Sequence, residues 1–366
     1  MANPRNKFHS KNSFFLSLAF EQAKKNLGST KENPSVGCIV EKNGSVLSSG
    51  YTSFNGRPHA EFNALNKKKI SRDSNLYITL EPCSHYGLTP PCTNIIINKK
   101  IKKVFYSIND IDDRSSNKSQ KILKKHNIKV KSNILKKVGK EFYRSYFSMR
   151  SNSLPVVDAK LAVSKDFYTK NRKKKWITNY FSRRRAHLLR SQYDCILTTS
   201  KTLNEDNPLL NCRIEGLEKK SPSICIIDRK FKIKRKINLL KIKRKVYLFT
   251  SVTDKKKERF FINKGFKIIK VKSMKNSPNY SKIFQKLSKL GFSRILVESG
   301  PNFLTFLIKN KFLSSLYLFK SKETLGKNGM ILFKKKLINI FKYSQKEINV
   351  NLFNDKLYKI NLNTHV

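Results

Sequence analysis

The stretch His59-Ala60-Glu61, followed by Glu81-Pro82-Cys83-Ser84-His85-Tyr86-Gly87-Leu88-Thr89-Pro90-Pro91-Cys92, decides how this chain is read. Within it, His59, Cys83, Cys92 and Glu61 set one imidazole, two thiols and one carboxylate in an order suited to a zinc-dependent hydrolytic deaminase. Zinc takes nitrogen and sulfur ligands tetrahedrally, and a catalytic site keeps the fourth position for water. The metal lowers the pKa of that water towards roughly 7. His59, Cys83 and Cys92 are the expected ligands. Glu61 is the expected proton shuttle, from the water to a ring nitrogen and to the leaving ammonia. His85 falls outside this set, because a fourth protein ligand would close the catalytic position. Nucleobase deaminases commonly space their cysteines as Pro-Cys-x-x-Cys; here the loop between them is longer.

The surroundings of these residues alternate in the manner of an α/β fold. Apolar residues at 14, 15, 18, 19 and 23 form a helical stripe over residues 12–27, ending before Gly28. Residues 36–41 and 45–50 flank Asn43-Gly44 and predict a β-hairpin. A short helix over 60–67 puts His59 and Glu61 at its start. Residues 76–80 read as a buried strand leading into Cys83, and 92–98 as the next helix. The metal would then lie between two helix N-termini, whose positive ends favour thiolates. Strands over 103–108 and 128–131, with a helix over 119–126 between them, complete a three-layer unit.

The junction falls near Ser151-Asn152-Ser153-Leu154-Pro155. Domains are expected at 1–150 and 151–366. In the second, strands are read at 156–162, 195–198, 223–228, 246–250 and 294–298, with helices at 183–190 and 302–309. The strand ending in Glu298, the turn Ser299-Gly300-Pro301 and the helix start make a phosphate-binding turn plausible.

Composition narrows the class. The 366 residues carry 78 Lys+Arg against 24 Asp+Glu, a formal net charge of +54. Such a charge raises the question of nucleic acid. A nucleic-acid protein gathers its charge on one face or stripe. Here lysine runs such as Lys173-Lys174-Lys175 and Lys255-Lys256-Lys257 recur, with Asn, Ile and Phe inflated alongside, as AT-rich codons produce. No specific nucleic-acid partner is expected. No apolar stretch suits a membrane span, and the start, Met1-Ala2-Asn3-Pro4-Arg5-Asn6, has no signal-peptide core. Six scattered cysteines do not form a secreted disulfide framework, so a cytoplasmic setting is expected.

Asn33-Pro34-Ser35-Val36-Gly37, His59-Ala60-Glu61 and the stretch 81–92 resemble the bifunctional deaminase/reductase family of riboflavin biosynthesis. Lys160-Leu161-Ala162-Val163-Ser164 with Asp166, Trp176-Ile177-Thr178, Asp206-Asn207-Pro208 and Val297-Glu298-Ser299-Gly300-Pro301 resemble its reductase half. The resemblance implies a cytidine-deaminase-like domain followed by a dihydrofolate-reductase-like one. It implies zinc-dependent deamination of a phosphoribosylamino-pyrimidine, then NADPH-dependent reduction of the ribosyl group to ribityl. It also implies a homo-oligomer, a dimer through the reductase domain. Asn33 is implied to contact the deaminase substrate. Ala162, Trp176, Thr202, Asp206 and the run Gly300, Pro301, Asn302, Phe303, Leu304, Thr305 and Phe306 fall where NADPH lies. Lys160, Arg190, Leu210, Arg213 and Glu298 fall where the reductase substrate lies, arginine being suited to clamp phosphate oxygens.

The chain departs from that family at several points. Thr52 stands for a usual histidine and Leu88 for a usual Arg or Lys, both at substrate positions. Phe167 stands for a glycine, Lys174 for a substrate serine and Arg229 for a serine near NADPH. The Gly-rich segment after the third strand is Ser115-Ser116-Asn117-Lys118-Ser119. Two other functions compete: an RNA-editing zinc deaminase with a basic RNA-binding C-terminal domain, and a chain in which one domain survives only as a dimerisation scaffold.

Overall fold

The computed structural model describes residues 10–67, 72–332 and 345–362. The chain forms two compact units, residues 1–153 and 154–366.

The first unit is a five-stranded sheet with helices on both faces. Its elements run α1 (Lys11–Lys24), β1 (Gly37–Lys42), β2 (Ser45–Tyr51), α2 (Ala60–Leu65), β3 (Asn75–Leu80), α3 (Cys92–Asn98), β4 (Lys103–Ile108), α4 (Lys118–Lys125), β5 (Lys129–Lys131) and α5 (Lys136–Asn152). The sheet order is β2-β1-β3-β4-β5. The β1–β2 hairpin turns at Asn43 and Gly44, both at positive φ, as a tight hairpin turn demands. β1 also pairs antiparallel with β3, whereas β3, β4 and β5 are parallel. Parallel strands require crossovers, and helices supply them. α1 and α5 share one face, where Phe20 meets Phe142 edge-on at 5.4 Å. Phe15 packs on Tyr77, which stacks on Phe105 at 4.7 Å. α2 packs on β1 and β2 and touches α3.

The helix α5 had no counterpart in the sequence reading. Its N-cap is Leu135 at φ 54°, with no side-chain cap, and it carries Gly139 inside it. Both features erase the usual start and propensity signals. Gly139 lies against β4: a Cβ there would meet Ser107 Oγ at 2.5 Å.

The second unit is a nine-stranded sheet. In chain order it holds β6 (Val156–Val163), β7 (Tyr168–Asn171), α6 (Tyr180–Arg190), β8 (Cys195–Thr199), α7 (Ser200–Asp206), β9 (Ser223–Ile227), β10 (Val246–Thr250), α8 (Lys255–Asn263), β11 (Phe266–Lys270), α9 (Ser277–Lys289), β12 (Arg294–Val297), α10 (Pro301–Lys309), β13 (Ser315–Lys320), β14 (Gly329–Leu332), β15 (Gln345–Glu347) and β16 (Lys356–Asn361). The order is β11-β10-β9-β8-β12-β6-β13-β16-β15. Pairing is parallel from β11 to β13, and β16 then adds antiparallel to β13 and to β15. β7 and β14 form a separate antiparallel ribbon. Apolar clusters cover both faces of this sheet, one around Leu197, Val297 and Leu304, the other around Ile196, Ile226 and Leu248. Strands buried on both faces are what a parallel sheet requires.

Among the described residues, no helix is long and apolar enough to cross a membrane.

Candidate active sites

His59 caps α2 and Glu61 lies in its first turn, both held against the sheet by one close approach. At Gly50 of β2, a Cβ would lie 2.3 Å from the Ala60 carbonyl oxygen. Only glycine lets the helix settle there. Cys83 follows β3, and Cys92 opens α3. The Cys92 backbone N–H donates to Cys83 Sγ at 3.3 Å.

The three expected ligands converge. His59 Nδ1 lies 3.6 Å from Cys83 Sγ and 3.4 Å from Cys92 Sγ, and all three donor atoms fall within 4.8 Å of one another. Zinc–ligand bonds of roughly 2.0–2.3 Å give tetrahedral edges of roughly 3.3–3.8 Å. One imidazole and two thiols with such edges fit zinc. The electrostatics agree. Hydrogen bonds from the Cys92 thiol and from His59 hold Cys83 down at about 4, against burial. Its bond to Cys83, together with burial, raises Cys92, so without a cation only one of the two thiols ionises readily. Burial, and next the Cys83 charge, push the Glu61 carboxyl up to about 7. Glu61 can therefore both hold and release a proton near neutrality.

A cavity of about 360 Å³ opens onto this cluster. Asn33 lines it, its amide donating to the Gly56 carbonyl at 3.2 Å. Gly56, at φ 90°, is fitted to this contact: a Cβ there would meet Asn33 Nδ2 at 2.4 Å. Thr52 and Leu88, the departures at deaminase substrate positions, also line it. The Thr52 hydroxyl accepts from Val36 N at 2.9 Å and is buried, whereas Leu88 is 89% exposed. His85 bonds Ser115 at 2.8 Å, outside the ligand cluster.

Sequence reading assigned no role to Glu81, Arg57, Asp110, Asp112, Arg114 or Arg150, which all line the cavity. Glu81 Oε1 accepts from Ser119 Oγ at 2.7 Å, and Oε2 from Asn117 N and Asp110 N at 3.1 and 3.2 Å. The polar segment that replaces the Gly-rich one is thus what anchors the residue before Pro82-Cys83. Asp112 is held well below the usual carboxylate range, first by its bonds from Arg114.

In the second unit, Glu298 and Arg190 form a bidentate pair at 2.6 and 3.0 Å. Burial alone would raise Glu298, but Arg190 and then Lys160, at 3.9 Å, hold it at about 2. Arg190 is therefore committed to Glu298 rather than open as a phosphate clamp. Its Nη1 also donates to the Asn211 carbonyl at 3.1 Å. His187, unassigned from sequence, lies beside it; burial and then the Arg190 charge push it down to about 4. Arg213, exposed, donates to Asn211 Oδ1 at 2.7 Å and through its backbone N–H to His187 Nδ1 at 3.3 Å. Leu210 is buried at φ 50°. Lys160, Glu298, Arg190 and Arg213 are thus linked through shared contacts, and Leu210 adjoins Asn211 in the chain.

The cofactor positions are more dispersed. The Thr202 hydroxyl meets those of Ser299 and Thr199, each at 3.1 Å. Asp206 lies 3.7 Å from Lys170. Gly300 caps α10, with Pro301 and Asn302 at the helix start. Leu304 is fully buried in the core, and Phe303 and Phe306 pack on Tyr280, so these three also serve helix–sheet packing. Ala162 is half-buried on β6. Trp176 is half-exposed between Arg183 and Lys175, in a cavity of about 420 Å³ that none of the other expected NADPH positions lines. Phe167 stands at φ 67°, in the left-handed region that favours glycine. Asp166 beside it accepts from Leu325 N and Gly326 N. Lys174 pairs with Glu323 at 3.5 Å, and Arg229 is exposed.

Residues 155–352 match the RibD C-terminal domain family, and residues 9–108 match the cytidine and deoxycytidylate deaminase zinc-binding region. The riboflavin biosynthesis protein RibD of Aquifex aeolicus (strain VF5) is 30% identical over 315 residues, 85% of this chain and 87% of that one. The RibD of Buchnera aphidicola subsp. Baizongia pistaciae (strain Bp) is 31% identical over 345 residues, 88% and 90% of the two chains. A Thermotoga maritima diaminohydroxyphosphoribosylaminopyrimidine deaminase/5-amino-6-(5-phosphoribosylamino)uracil reductase superposes with a TM-score of 0.80 at 26% identity. It covers 96% of this chain and 98% of its own. The folds are accordingly cytidine-deaminase-like in the first unit and dihydrofolate-reductase-like in the second.

Proposed function

Because the chain belongs to the bifunctional deaminase/reductase (RibD) family of riboflavin biosynthesis, we propose that residues 1–150 carry its deamination and residues 151–366 its reduction. The enzyme hydrolytically deaminates a phosphoribosylamino-pyrimidine with zinc and reduces the ribosyl group to ribityl with NADPH. The RNA-editing alternative has no support, since the RibD C-terminal domain match spans the part of the chain that an RNA-binding domain would occupy.

The observation that carries the site reading is the convergence of His59, Cys83 and Cys92 beside buried Glu61. These three side chains hold the zinc. When bound, the metal supplies the Lewis-acid chemistry that makes water a nucleophile near neutral pH. Glu61 takes the proton from that water to the ring nitrogen and then to the departing amine. The water oxygen bonds to the amino-bearing ring carbon, the exocyclic C–N bond breaks, ammonia leaves and a carbonyl remains. Asn33 orients the pyrimidine from the cavity wall.

In the reductase unit, hydride transfer belongs to the cofactor and the protein supplies placement. Glu298, held ionised by Arg190, accepts from the sugar hydroxyls. Lys160, which burial pushes below the usual lysine range, donates to them. Arg213 faces the phosphate. Thr202, Asp206 and the turn at Gly300 hold NADPH. We further infer a dimer through the reductase domain, no specific nucleic-acid partner and a cytoplasmic setting; six cysteines free of disulfides suit a reducing compartment.

The test is one assay with two readouts. The purified protein, given the pyrimidine substrate and NADPH, releases ammonia and then oxidises NADPH. Ammonia release that persists at full rate in a Glu61→Gln protein would remove the assigned shuttle.

A further inference from the structure

We propose that Arg57 holds the phosphate of the deaminase substrate at the mouth of the zinc cavity. The proposal deepens the site reading above and rests on it.

Arg57 precedes Pro58-His59 and lines the cavity. Its Nη1 donates to Thr89 Oγ1 at 2.5 Å and lies 3.3 Å from His59 Nε2. Its Nη2 lies 3.5 Å from where a Cβ on Gly87 would stand, so the guanidinium rests against the turn at 87–89. The other two arginines of this cavity lie against one carboxylate, Asp112, which offsets one of their two charges. Arg114 pairs with Asp112 at 2.6 Å, and Arg150 lies 3.9 Å from the same carboxylate. Among the described residues, Arg57 pairs with no carboxylate. Leu88 and Thr52 bring no charge to the cavity: Leu88 is apolar and exposed, and the buried Thr52 hydroxyl is bound to backbone.

The guanidinium thus stands at the cavity mouth as a charged set of donors with no carboxylate beside it among the described residues. A phosphomonoester offers several charged oxygens, and arginine takes such oxygens in a planar fork. The ligand class is therefore the phosphate on the sugar of the pyrimidine substrate.

The experiment compares zinc-loaded wild-type, Arg57→Ala and Arg57→Lys proteins on the phosphorylated substrate and its dephosphorylated counterpart. Arg57→Ala raises KM for the phosphorylated substrate by about tenfold or more, the scale of one lost charge-assisted hydrogen bond. The effect falls on KM rather than kcat, the preference for the phosphorylated form collapses, and lysine restores part of it. Calorimetric titration of the phosphorylated substrate into Glu61→Gln, with and without Arg57→Ala, shows the same loss in Kd without turnover. An equal rise in KM for both substrates would assign Arg57 to shaping the 87–89 turn and overturn the proposal, as would an unchanged KM. Absence of ammonia release by the zinc-loaded wild type would instead sink the reading of the site, while the calorimetry still decides Arg57.

Discussion

Glu61 is a carboxylate 3% exposed beside two thiols, the position on which its proposed role as proton shuttle rests. Glu61→Gln keeps its shape and removes its titration. Zinc content stays at one per chain and deamination falls at least about 10²-fold, the usual scale for a lost general acid–base. Zinc analysis beside an ammonia assay checks both parts. Cys92→Ser loses the metal; full occupancy in that variant would refute the ligand set. At the cavity rim, Leu88→Arg adds a cation where an exposed leucine now stands. It lowers the deaminase KM by up to about tenfold. A fall in kcat/KM would show instead that the pocket is already rebuilt around other contacts.

At the scale of elements, the seating of α2 on the hairpin positions both His59 and Glu61. Gly50→Ala drives a methyl to within 2.3 Å of the Ala60 carbonyl oxygen and 2.5 Å of Ala64 N. Backbone cannot step aside as a flexible side chain would. The expected cost is about 1–3 kcal/mol of stability, with weaker zinc binding. Chemical denaturation and metal competition read the two effects. A zinc affinity unaltered by this change would mean that α2 is held by something else. In the second unit, α6 supplies Arg190 to the end of β12, where Glu298 sits. The Glu298 carboxyl is held at about 2, below its usual 4.5. A depressed carboxylate stabilises the fold fully above the unfolded value. That stabilisation is lost as pH falls from about 4.5 towards 2. Glu298→Gln leaves Arg190 buried without its counter-charge and costs up to about 3–5 kcal/mol at neutral pH. The gap to wild type narrows below pH 4.5. A gap independent of pH between 7 and 3 would rule out an ionised Glu298 as its source.

Over the whole molecule, each unit has its own core: one around Tyr77 and Val104, the others around the nine-stranded sheet. The two activities should then be separable by mutation. Asp206→Ala, at an exposed pair with Lys170, slows NADPH oxidation and leaves ammonia release intact. Simultaneous loss of both would point to coupling between the units. The reductase should also favour NADPH over NADH, its basic surroundings suiting the extra phosphate. Equal kcat/KM for the two cofactors would remove that assignment.

The chemistry of the zinc site was legible in the sequence by itself. Its donors occur at helix and strand ends in fixed order, and hydrophobic periodicity places those ends within a few residues. The hairpin at Asn43-Gly44 and the strands leading to Cys83 and Glu298 were readable for the same local reason. Tertiary structure alone decided what surrounds them. That Arg57 lies against Thr89, that Ser119 anchors Glu81 and that Asp112 draws in Arg114 and Arg150 depend on loops brought together by the sheet order. The α5 helix escaped because it starts without a polar cap and carries Gly139, which serves a close approach to β4. Ligand identity is written in residue type and spacing. The partner of each charge, and so its use, is settled only when distant segments pack.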